Sequence, residues 1–459
     1  MKIADMKIKG ITCNSKDVKK DFAFVAIKGN SRNGNCFIGE AIARGACIVV
    51  VQGGVPEIKI PAAVRLITVK DSRSFFAQAC AEFYHYPSRD IRVIGITGTN
   101  GKTTITYLIE TIAKKAGYGC GVIGTISHRF KDKVIKAKNT TPGAGDLQGY
   151  LSKMLKQRVR YCAMEVSSHA LDQERVGEIN FSHAIFTNLT QDHLDYHRNL
   201  EDYFQAKAKL FRSLPEDSTA IINNDDKYSR RLKRLTGAKV ITYGINNKSI
   251  VMARDIKFSI DGSSFTLVAP KIKAKIRTGL AGKHNIYNLL AAIAWGLSED
   301  LDFKDIKSGI EQFKTVPGRL EKVNCDRGYD IFVDYAHTPD ALFNVITALR
   351  PLVRGRIIVV FGCGGERDRF KRPKMGRIVT RLADHAIITS DNPRSEDPLR
   401  IIQDIRKGIS KNNFCEIPDR LKAIKAGLSL ARKGDCLIIA GKGHEDNHSD
   451  RKAVQKCLR

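Results

Sequence analysis

The chain has 459 residues, of which 42% are hydrophobic and 27% are charged, values typical of globular proteins. Its length predicts two to four domains, and its apolar runs are too short to cross a bilayer, which needs about 20 residues. The net charge of +29 comes from Lys and Arg spread along the sequence, so we expect no specific nucleic-acid binding and no membrane insertion.

The N-terminal segment and the cysteines both favour a cytoplasmic protein. Residues 1–10 contain lysines with no apolar stretch behind them, so no signal peptide is predicted. None of the 11 cysteines forms a Cys-x-x-Cys pair. We therefore expect reduced cysteines, several of them in the core.

Strand and helix patterns alternate along the chain. Strand-like runs at 21–27 and 47–51 flank a predicted helix at 38–45, and a Tyr-Pro-Ser break follows at 86–88. The apolar strand 91–96 leads through a Gly-rich turn into a helix from Thr103 to Ala116. Alternation continues to about residue 313, and a second break lies at Pro317-Gly318. The sequence thus predicts an α/β fold with mostly parallel sheets and helices on both faces.

The strongest local signal is the segment GITGTNGKTT (95–104), between that strand and that helix. A Gly-rich turn lets backbone N–H groups approach phosphate oxygens, and the helix presents its positive N-terminus to the same anion. Lys102 supplies a charge for the outer phosphates, and the Thr103 hydroxyl can ligate Mg²⁺. The spacing from Gly95 to Gly101 exceeds the common motif by one residue. The segment predicts an ATP-binding loop.

Acidic and imidazole side chains follow two further strand-like runs. MEVSSHALDQERV (164–176) contains Glu165, and FTNLTQDHLDYH (186–197) contains His193. Active-site residues collect at strand ends in such sheets. Each side chain alone is better explained as a cap or a surface group, but together Glu165 and His193 are candidate Mg²⁺ ligands beside bound phosphates. The turn NTTP (139–142) would by itself be interpreted as an ordinary loop.

The combination of these segments resembles the Mur ligase family, in the family's order from about residue 11 to the C-terminus. Further segments carry the resemblance: YFQAKAKLF (203–211), LAGKHNIYNLLAA (280–292), PGRLE (317–321), VDYAHTPDAL (333–342), FGCGGERDRFKRPKMG (361–376), DNPRSEDP (391–398) and GKGHE (441–445).

The resemblance implies three domains and an ATP-dependent ligation. Residues 1–88 would form a small α/β domain for the UDP substrate, 89–317 the central P-loop-type ATPase, and 318–459 a Rossmann-like domain for the amino acid. The branch with the best-matching motifs adds meso-diaminopimelate to UDP-N-acetylmuramoyl-L-alanyl-D-glutamate through an acyl phosphate, in peptidoglycan precursor synthesis. The expected partners are these small substrates and ATP with Mg²⁺, and we expect a monomer.

The resemblance also implies roles for individual residues. Those of the catalytic centre are Lys102, Glu165, His193 and Lys207, of which Glu165, His193 and Lys207 join Thr103 as metal ligands. Lys207 matches a lysine carbamylated by CO₂ to N6-carboxylysine, a change that replaces a cation by an anion able to hold a second Mg²⁺. The ATP-binding positions are Gly98, Thr99, Asn100, Gly101, Lys102, Thr103, Thr104, Asn285, Arg319, Asp334 and His337. The UDP-substrate positions are Ser15, Thr140, Thr141, Ser167, Gln173 and Arg175.

The segment Asp391-Asn392-Pro393-Arg394 bears on the choice of amino acid. An arginine fork pairs with the distal carboxylate of meso-diaminopimelate and repels the bare ammonium of L-lysine. The positions implied to bind the amino acid are Arg367, Asp391, Asn392, Pro393, Arg394, Gly441 and Glu445.

Three departures from the family pattern leave alternatives open. The N-terminus is short, Lys16 replaces a usual arginine, and the segment after Glu445 is shorter than usual. The alternatives are an L-lysine-adding member, a related ligase such as a folate polyglutamate synthetase, and a degenerate protein that binds the UDP precursor or ATP without turnover. The SSHALDQERV and DNPR segments argue against the folate enzyme.

Overall fold

A computed structural model of the chain describes residues 6–29, 33–54, 58–442 and 449–458. The first part of the chain forms four short strands and two helices: β1 (Gly10–Thr12), β2 (Phe22–Val25), α1 (Ile38–Ala43), β3 (Ala46–Gln52), β4 (Arg65–Val69) and α2 (Ser72–Phe83). Helix α2 begins where the Asp71 carboxylate accepts hydrogen bonds from the backbone N–H groups of Arg73 and Ser74, which satisfies donors that the helix itself cannot.

The middle of the chain alternates strands and helices and then ends in a run of strands. Its strands are β5 (Arg92–Thr97), β6 (Cys120–Ile123), β7 (Ser127–Phe130), β8 (Lys133–Lys136), β9 (Tyr161–Glu165), β10 (Phe181–Phe186), β11 (Thr219–Asn223), β12 (Lys239–Gly244), β13 (Val251–Ser259), β14 (Gly262–Ala269) and β15 (Ile272–Thr278). Its helices are α3 (Lys102–Lys115), α4 (Ala144–Lys156), α5 (Ser168–Asp172), α6 (Leu200–Arg212), α7 (Ser229–Leu235), α8 (Lys283–Ser298) and α9 (Phe303–Gln312).

The last part of the chain again alternates strands and helices. Its strands are β16 (Glu321–Val323), β17 (Asp330–Asp334), β18 (Ile357–Phe361), β19 (His385–Ile388), β20 (Phe414–Glu416) and β21 (Cys436–Ala440). Its helices are α10 (Pro339–Leu349), α11 (Lys371–Leu382), α12 (Pro398–Arg406), α13 (Arg420–Leu430) and α14 (Asp450–Leu458).

The chain packs into two compact units, each made of several segments. The first comprises the described parts of 1–95, with 118–183 and 213–218. In it β1 to β4 form a parallel sheet in chain order. Successive β2 residues Ala23 and Phe24 enter different apolar clusters, so both faces of the sheet are covered, as parallel sheets require. Elsewhere in this unit β9 pairs with β6 in parallel, and β6, β7 and β8 follow as antiparallel neighbours.

The second unit comprises residues 96–117, 184–212 and the described part of 219–459. It contains strands ordered β10-β11-β12-β13-β14-β15, and a six-stranded sheet ordered β16-β17-β21-β18-β19-β20. In the six-stranded sheet, β17 to β20 and β21 run parallel, while β16 is antiparallel. The successive β18 residues Ile358 and Val359 enter separate apolar clusters on the two faces of this sheet. Trp295, the only tryptophan of the chain, is fully buried in α8.

The predicted three-domain α/β fold with mostly parallel sheets is confirmed, with two additions. Strands β7 and β8 form an antiparallel hairpin, and β13 to β15 form an antiparallel meander, so the predicted alternation of strands and helices up to about residue 313 is interrupted at these two places. The limits of the domains at residues 88 and 317 stay predictions. The predicted helix at 38–45 ends at Ala43, and Gly45 with φ +101° turns the chain toward β3.

No helix within the described ranges has both the length and the apolar character that a membrane span requires. All 11 cysteines carry free thiols.

The buried centre of the six-stranded sheet predicts where shortening a side chain lowers the stability of the protein. Ile438 is fully buried in β21, between β17 and β18. We expect Ile438→Ala to lower the free energy of unfolding by about 2–5 kcal/mol, because a cavity replaces the lost side chain. Urea denaturation followed by circular dichroism measures this loss.

The matched control is Val134→Ala in β8, where the side chain is 71% exposed. Its effect should stay within about 0.5 kcal/mol. Equal losses for the two variants would contradict the packing described for β21.

Candidate active site

The Gly-rich loop lies between β5, which ends at Thr97, and α3, which begins at Lys102. Gly98 and Gly101 have φ values of +147° and +92°, in the region that favours glycine. A Cβ atom at Gly98 would overlap the Thr187 hydroxyl, and one at Gly101 would overlap the Asn288 side chain. The loop therefore needs glycine at both positions, for backbone conformation and for space.

Residues just after β10 hold this loop in place. The Thr99 N–H donates to the Asn188 carbonyl at 2.9 Å, and the Asn100 N–H donates to the Asn188 side-chain oxygen at 3.0 Å. The Thr187 hydroxyl donates to the Asn100 carbonyl at 2.6 Å. The loop is thus shaped by bonds to a neighbouring strand end, which fixes the direction of its remaining backbone groups.

Two lysines meet on one carbonyl of the loop. The Nζ atoms of Lys102 and Lys207 each donate to the Gly98 carbonyl at 2.9 Å, and Lys102 also donates to the Thr99 carbonyl at 2.9 Å. Lys207, on α6, is 1% exposed. Burial lowers the pKa of Lys207 well below its ordinary value; the charge of Lys102 lowers it further, and Asp192 acts in the opposite direction. The Lys207 side chain is therefore shifted toward the neutral amine.

A buried carboxylate, Asp192, gathers basic side chains from separate parts of the chain. Its oxygens lie 3.5 Å from Nε2 of His193, 3.5 Å from Nζ of Lys371 and 4.0 Å from Nε2 of His337. Burial alone would raise the pKa of Asp192, but its neighbours, with His193 first, outweigh burial and hold the pKa well below its usual range. Desolvation, followed by the charge of Lys371, lowers the pKa of His337 to about 4. Asp192 is therefore an anion that draws these groups together.

The predicted ATP-binding residues beyond the loop differ in how they reach it. Arg319 donates from Nη2 to the Thr103 hydroxyl at 3.1 Å. Asp334 accepts from the backbone N–H groups of Leu320 and Ala336, so it shapes the segment that carries Arg319. Asn285 accepts from the Asn288 amide at 3.0 Å. Arg319 thus contacts the loop directly, whereas Asp334 and Asn285 act through neighbours.

The residues predicted for the muramoyl dipeptide form a connected group. Thr141 donates from its hydroxyl to the Glu165 carbonyl at 2.8 Å and accepts from the Ser167 N–H at 3.0 Å. Arg175 donates to the Thr141 carbonyl at 3.0 Å and to the Gln173 side-chain oxygen.

The Glu165 carboxylate is held at the edge of this group. It accepts from the Thr125 N–H at 2.8 Å and from the Thr125 hydroxyl at 3.0 Å. That hydroxyl lies 3.1 Å from the Thr140 hydroxyl. Ser15 bonds elsewhere, since its hydroxyl donates to the Glu40 carboxylate at 2.6 Å.

The residues predicted for the amino acid lie on turns after parallel strands. Arg367 follows β18, residues 391–394 follow β19, and Gly441 follows β21. The Asp391 carboxylate accepts from the Asn392 N–H at 2.7 Å, and a Cβ atom at Gly441 would overlap that carboxylate. Arg394 donates to the Gly365 carbonyl. Glu445 lies outside the described residues.

Several contacts in the loop and around it were not predicted from the sequence. The amide of Asn100 donates to the Asp340 carboxylate at 2.8 Å, and Lys371 is buried against Asp192. Asn188 and Asp340 lie inside the segments 186–197 and 333–342, so those segments held the signal, but which members face the loop depends on tertiary packing. Among the described residues, no group of three or more His, Cys, Asp or Glu side chains could by itself hold a metal ion.

The arrangement in the second unit suits an anionic ligand. A helix N-terminus, Lys102 and Arg319 converge on one Gly-rich loop, and such groups bind phosphates.

Three family models match the chain in succession. The Mur ligase family catalytic domain matches residues 7–84, the Mur ligase middle domain matches 96–296, and the Mur ligase glutamate ligase domain matches 318–443.

Curated relatives match over nearly the whole chain. A protein of Geobacter metallireducens is 44% identical over 464 residues, covering 96% of this chain and 90% of the relative. A protein of Syntrophomonas wolfei is 41% identical over 469 residues, covering 99% of this chain and 95% of the relative. Both are named UDP-N-acetylmuramoyl-L-alanyl-D-glutamate--2,6-diaminopimelate ligase.

Solved structures agree in fold. A structure of a ligase with that same name aligns with a TM-score of 0.69 at 32% identity and covers 98% of this chain and 94% of its own. The MurF ligase of Thermotoga maritima in complex with ADP aligns with a TM-score of 0.69 at 19% identity and covers 100% of this chain and 98% of its own. On these matches, which together span the chain, it belongs to the Mur ligase family.

Proposed function

We propose that this protein is an ATP-dependent, ADP-forming ligase that adds meso-diaminopimelate to UDP-N-acetylmuramoyl-L-alanyl-D-glutamate in peptidoglycan precursor synthesis. The observation that carries the proposal is the full-length likeness, at 41–44% identity, to relatives named for this reaction. The chain also contains the DNPR turn and a Gly-rich loop whose Gly98 carbonyl accepts from both Lys102 and Lys207. The alternative is a related ligase that adds L-lysine, and phosphate release with each amino acid distinguishes the two.

ATP would bind with its outer phosphates on the loop of residues 98–104. Lys102 now donates to two carbonyls of that loop, and it would exchange them for phosphate oxygens. Arg319 already reaches the Thr103 hydroxyl, so its guanidinium is close enough to the loop to contact the same anion. His337 would approach the nucleotide from the segment after β17. Charge of this kind, fixed before the reaction, stabilises phosphoryl transfer most effectively.

The predicted ligands include a hydroxyl and a carboxylate, the oxygen donors that suit Mg²⁺ as the companion of ATP. Mg²⁺ usually takes one or two protein carboxylates and completes its shell with waters and substrate phosphates, so it needs no cage made only of protein groups. The Thr103 hydroxyl, the Glu165 carboxylate and the His193 imidazole would hold it. When bound, Mg²⁺ supplies positive charge that neutralises the phosphates.

We further propose that Lys207 is carbamylated. A neutral amine reacts with CO₂ to form a carbamate and release a proton, and burial beside Lys102 shifts Lys207 toward that neutral form. The product is an anion in place of a cation, which would hold a second Mg²⁺ near Lys102.

The chain's residues would act mainly by positioning and by charge. The carboxylate of the D-glutamyl side chain attacks the γ-phosphorus of ATP, the bond to the β-phosphate oxygen breaks, and ADP leaves. Lys102 faces the charge that develops on the transferred phosphoryl group. The neutral amine of diaminopimelate then attacks the acyl carbon, and the tetrahedral intermediate loses phosphate. The amine nitrogen gives up its proton as the amide forms.

The UDP substrate would lie along the connected group that contains Thr141 and Arg175. Arg175 is a fixed cation, because Gln173 and the Thr141 carbonyl hold its guanidinium. Thr140, Thr141, Ser167 and Gln173 offer hydroxyl and amide groups to the dipeptide. Ser15, bonded to Glu40, would contact the uridine.

The amino acid would bind at the turns after β18, β19 and β21. Arg394 and Arg367 would pair with carboxylates of diaminopimelate, while Asp391 and Glu445 would receive its distal ammonium. Asn392, Pro393 and Gly441 shape the turns around them. L-Lysine lacks the distal carboxylate, so it would leave Arg394 unpaired.

We propose a cytoplasmic enzyme, because its substrates are small and water-soluble. We also propose that it is a monomer and that it binds no specific nucleic acid. Domains at 1–88, 89–317 and 318–459 would carry the UDP substrate, ATP and the amino acid.

Phosphate release tests the choice of amino acid. With ATP and the UDP dipeptide, we expect turnover with meso-diaminopimelate to exceed turnover with L-lysine. Arg394→Ala should reduce the ratio of the two kcat/KM values roughly ten- to hundredfold, because a charged hydrogen bond is lost. The exposed Arg400→Ala serves as control and should leave the ratio unchanged. Equal turnover of the two amino acids by the unaltered enzyme would contradict the proposed specificity.

Small carboxylates test the carbamate. Lys207→Ala should lower kcat by about a hundredfold or more, because the anion that holds the second Mg²⁺ is lost. Added acetate or formate should restore part of the activity. The control is Lys209→Ala, two residues further along α6. It should keep its kcat, and added acetate or formate should not change its activity. Removing bicarbonate should lower the activity of the unaltered enzyme, because the carbamate would be lost. Carbamylation is contradicted if neither bicarbonate removal nor added carboxylates change activity.

A further inference from the structure

The turns that carry Arg367 and Arg394 are locked together. They follow neighbouring parallel strands, β18 and β19. Arg394 donates to the Gly365 carbonyl, and the Ser395 hydroxyl donates to the Glu366 carboxylate. A Cβ atom at Gly365 would overlap the Pro393 carbonyl. The separation of the two arginines therefore depends on how closely the turns approach.

A buried guanidinium stands behind both turns. Arg372, in the first turn of α11, is 1% exposed. It donates to both carboxylate oxygens of Glu396, at 2.9 and 3.0 Å, to Asp404 at 3.1 Å and to the Gly364 carbonyl at 3.4 Å. Its bonds thus reach the turn before α11, the turn after β19, and helix α12.

Glu396 completes the connection from the other side. Besides Arg372, its carboxylate accepts from the Glu366 N–H and from Arg369. The bond from Arg372 is the main cause that lowers the pKa of Glu396 to about 2, so Glu396 remains an anion in this network. One carboxylate therefore joins its own turn to the facing turn and to the buried guanidinium.

The backbone of both turns is strained where they meet. Glu366 and Arg394 have φ values of +51° and +52°, a left-handed conformation that side-chain-bearing residues adopt at a cost. Such conformations persist where the surroundings hold them. Here the hydrogen bonds of Glu396 and Arg372 supply that hold.

We propose that Arg372 and Glu396 are positioning residues that set the separation of Arg367 and Arg394, and so set the preference for a diamino acid with a second carboxylate. The inference rests on the proposed function, because it concerns how that site tells its substrates apart. A bidentate ion pair suits the task, since its two parallel bonds fix orientation as well as distance.

Asp404 offers a control within the same network. From α12 it accepts hydrogen bonds from Arg372 and Lys407 and, among the described residues, from neither turn. If Arg372 served only to stabilise the fold, loss of Asp404 and loss of Glu396 would have similar consequences. If Arg372 positions the turns, only loss of Glu396 should disturb the amino-acid site.

The experiment compares Glu396→Gln with Asp404→Asn in full-length protein. We expect Glu396→Gln to raise KM for meso-diaminopimelate at least about tenfold and to lower the preference over L-lysine by a similar factor, because small misplacements of binding groups are costly. Its KM values for ATP and the UDP dipeptide should stay within about twofold. Asp404→Asn should leave all three KM values within about twofold, although it lowers the melting temperature. Arg372→Lys, which keeps the charge but not the fork, should lie between wild type and Glu396→Gln.

Hydrogen exchange gives a readout that does not depend on turnover. Peptides covering 364–369 and 391–396 should exchange faster in Glu396→Gln than in Asp404→Asn. Equal exchange and equal KM values in the two variants would overturn the positioning role. A wild-type enzyme that does not use meso-diaminopimelate would instead overturn the proposed function, and the exchange measurement would still decide whether Glu396 holds the turns.

Discussion

A lysine amine that is buried beside a second lysine is the feature around which the candidate site is organised. Lys102 and Lys207 share the Gly98 carbonyl, and Lys207 is closed off from solvent. Burial, and to a lesser extent the charge of Lys102, moves Lys207 toward the neutral amine, whereas Lys102 sits closer to solvent at the start of α3. The candidate site thus places an amine that is shifted toward its neutral form beside the Lys102 side chain, and that juxtaposition underlies the proposed carbamate.

The same loop is tied to the last third of the chain by side chains of opposite character. Asn100 bonds Asp340 at the start of α10, and Thr103 accepts from Arg319. Near the loop, Asp192, which follows β10, faces Lys371. Each of these partners is an ionisable group on a segment implied to bind nucleotide or amino acid. A nucleotide that displaces Asn100 or recruits Arg319 would therefore alter contacts with those segments. Under the proposed function, ATP binding would therefore change contacts that hold the segments proposed for the amino acid.

Much of the fold could be predicted from the sequence, and the reason lies in local pattern. The apolar strand 91–96 followed by a Gly-rich turn predicted β5, the loop and α3, because glycine, lysine and helix signals stand next to one another. The antiparallel β13–β15 meander was not predicted. Its third strand, IKAKIRT, alternates cationic and apolar residues, which is the period of a half-exposed strand, whereas the predicted strands were marked by continuous apolar runs.

The candidate site was predictable in parts for a similar reason. Lys102 and Thr103 lie in one continuous segment, whereas the pairing of Lys207 with the Gly98 carbonyl joins residues 109 positions apart. Arg372 lies in the segment 361–376, yet the local sequence does not indicate that its guanidinium is buried between Glu396 and Asp404. Such contacts arise only when strands and helices pack.

The buried position of Trp295 gives this protein an optical probe without labelling. Since it is the only tryptophan, all of the indole emission comes from the interior of α8. Asn288, whose side chain fills the space beside Gly101, lies seven residues earlier on the same helix, about 10 Å along its axis. The emission spectrum therefore samples the helix that backs the phosphate loop. The segment beyond residue 318 contributes no indole signal of its own, so its melting would need another spectroscopic handle.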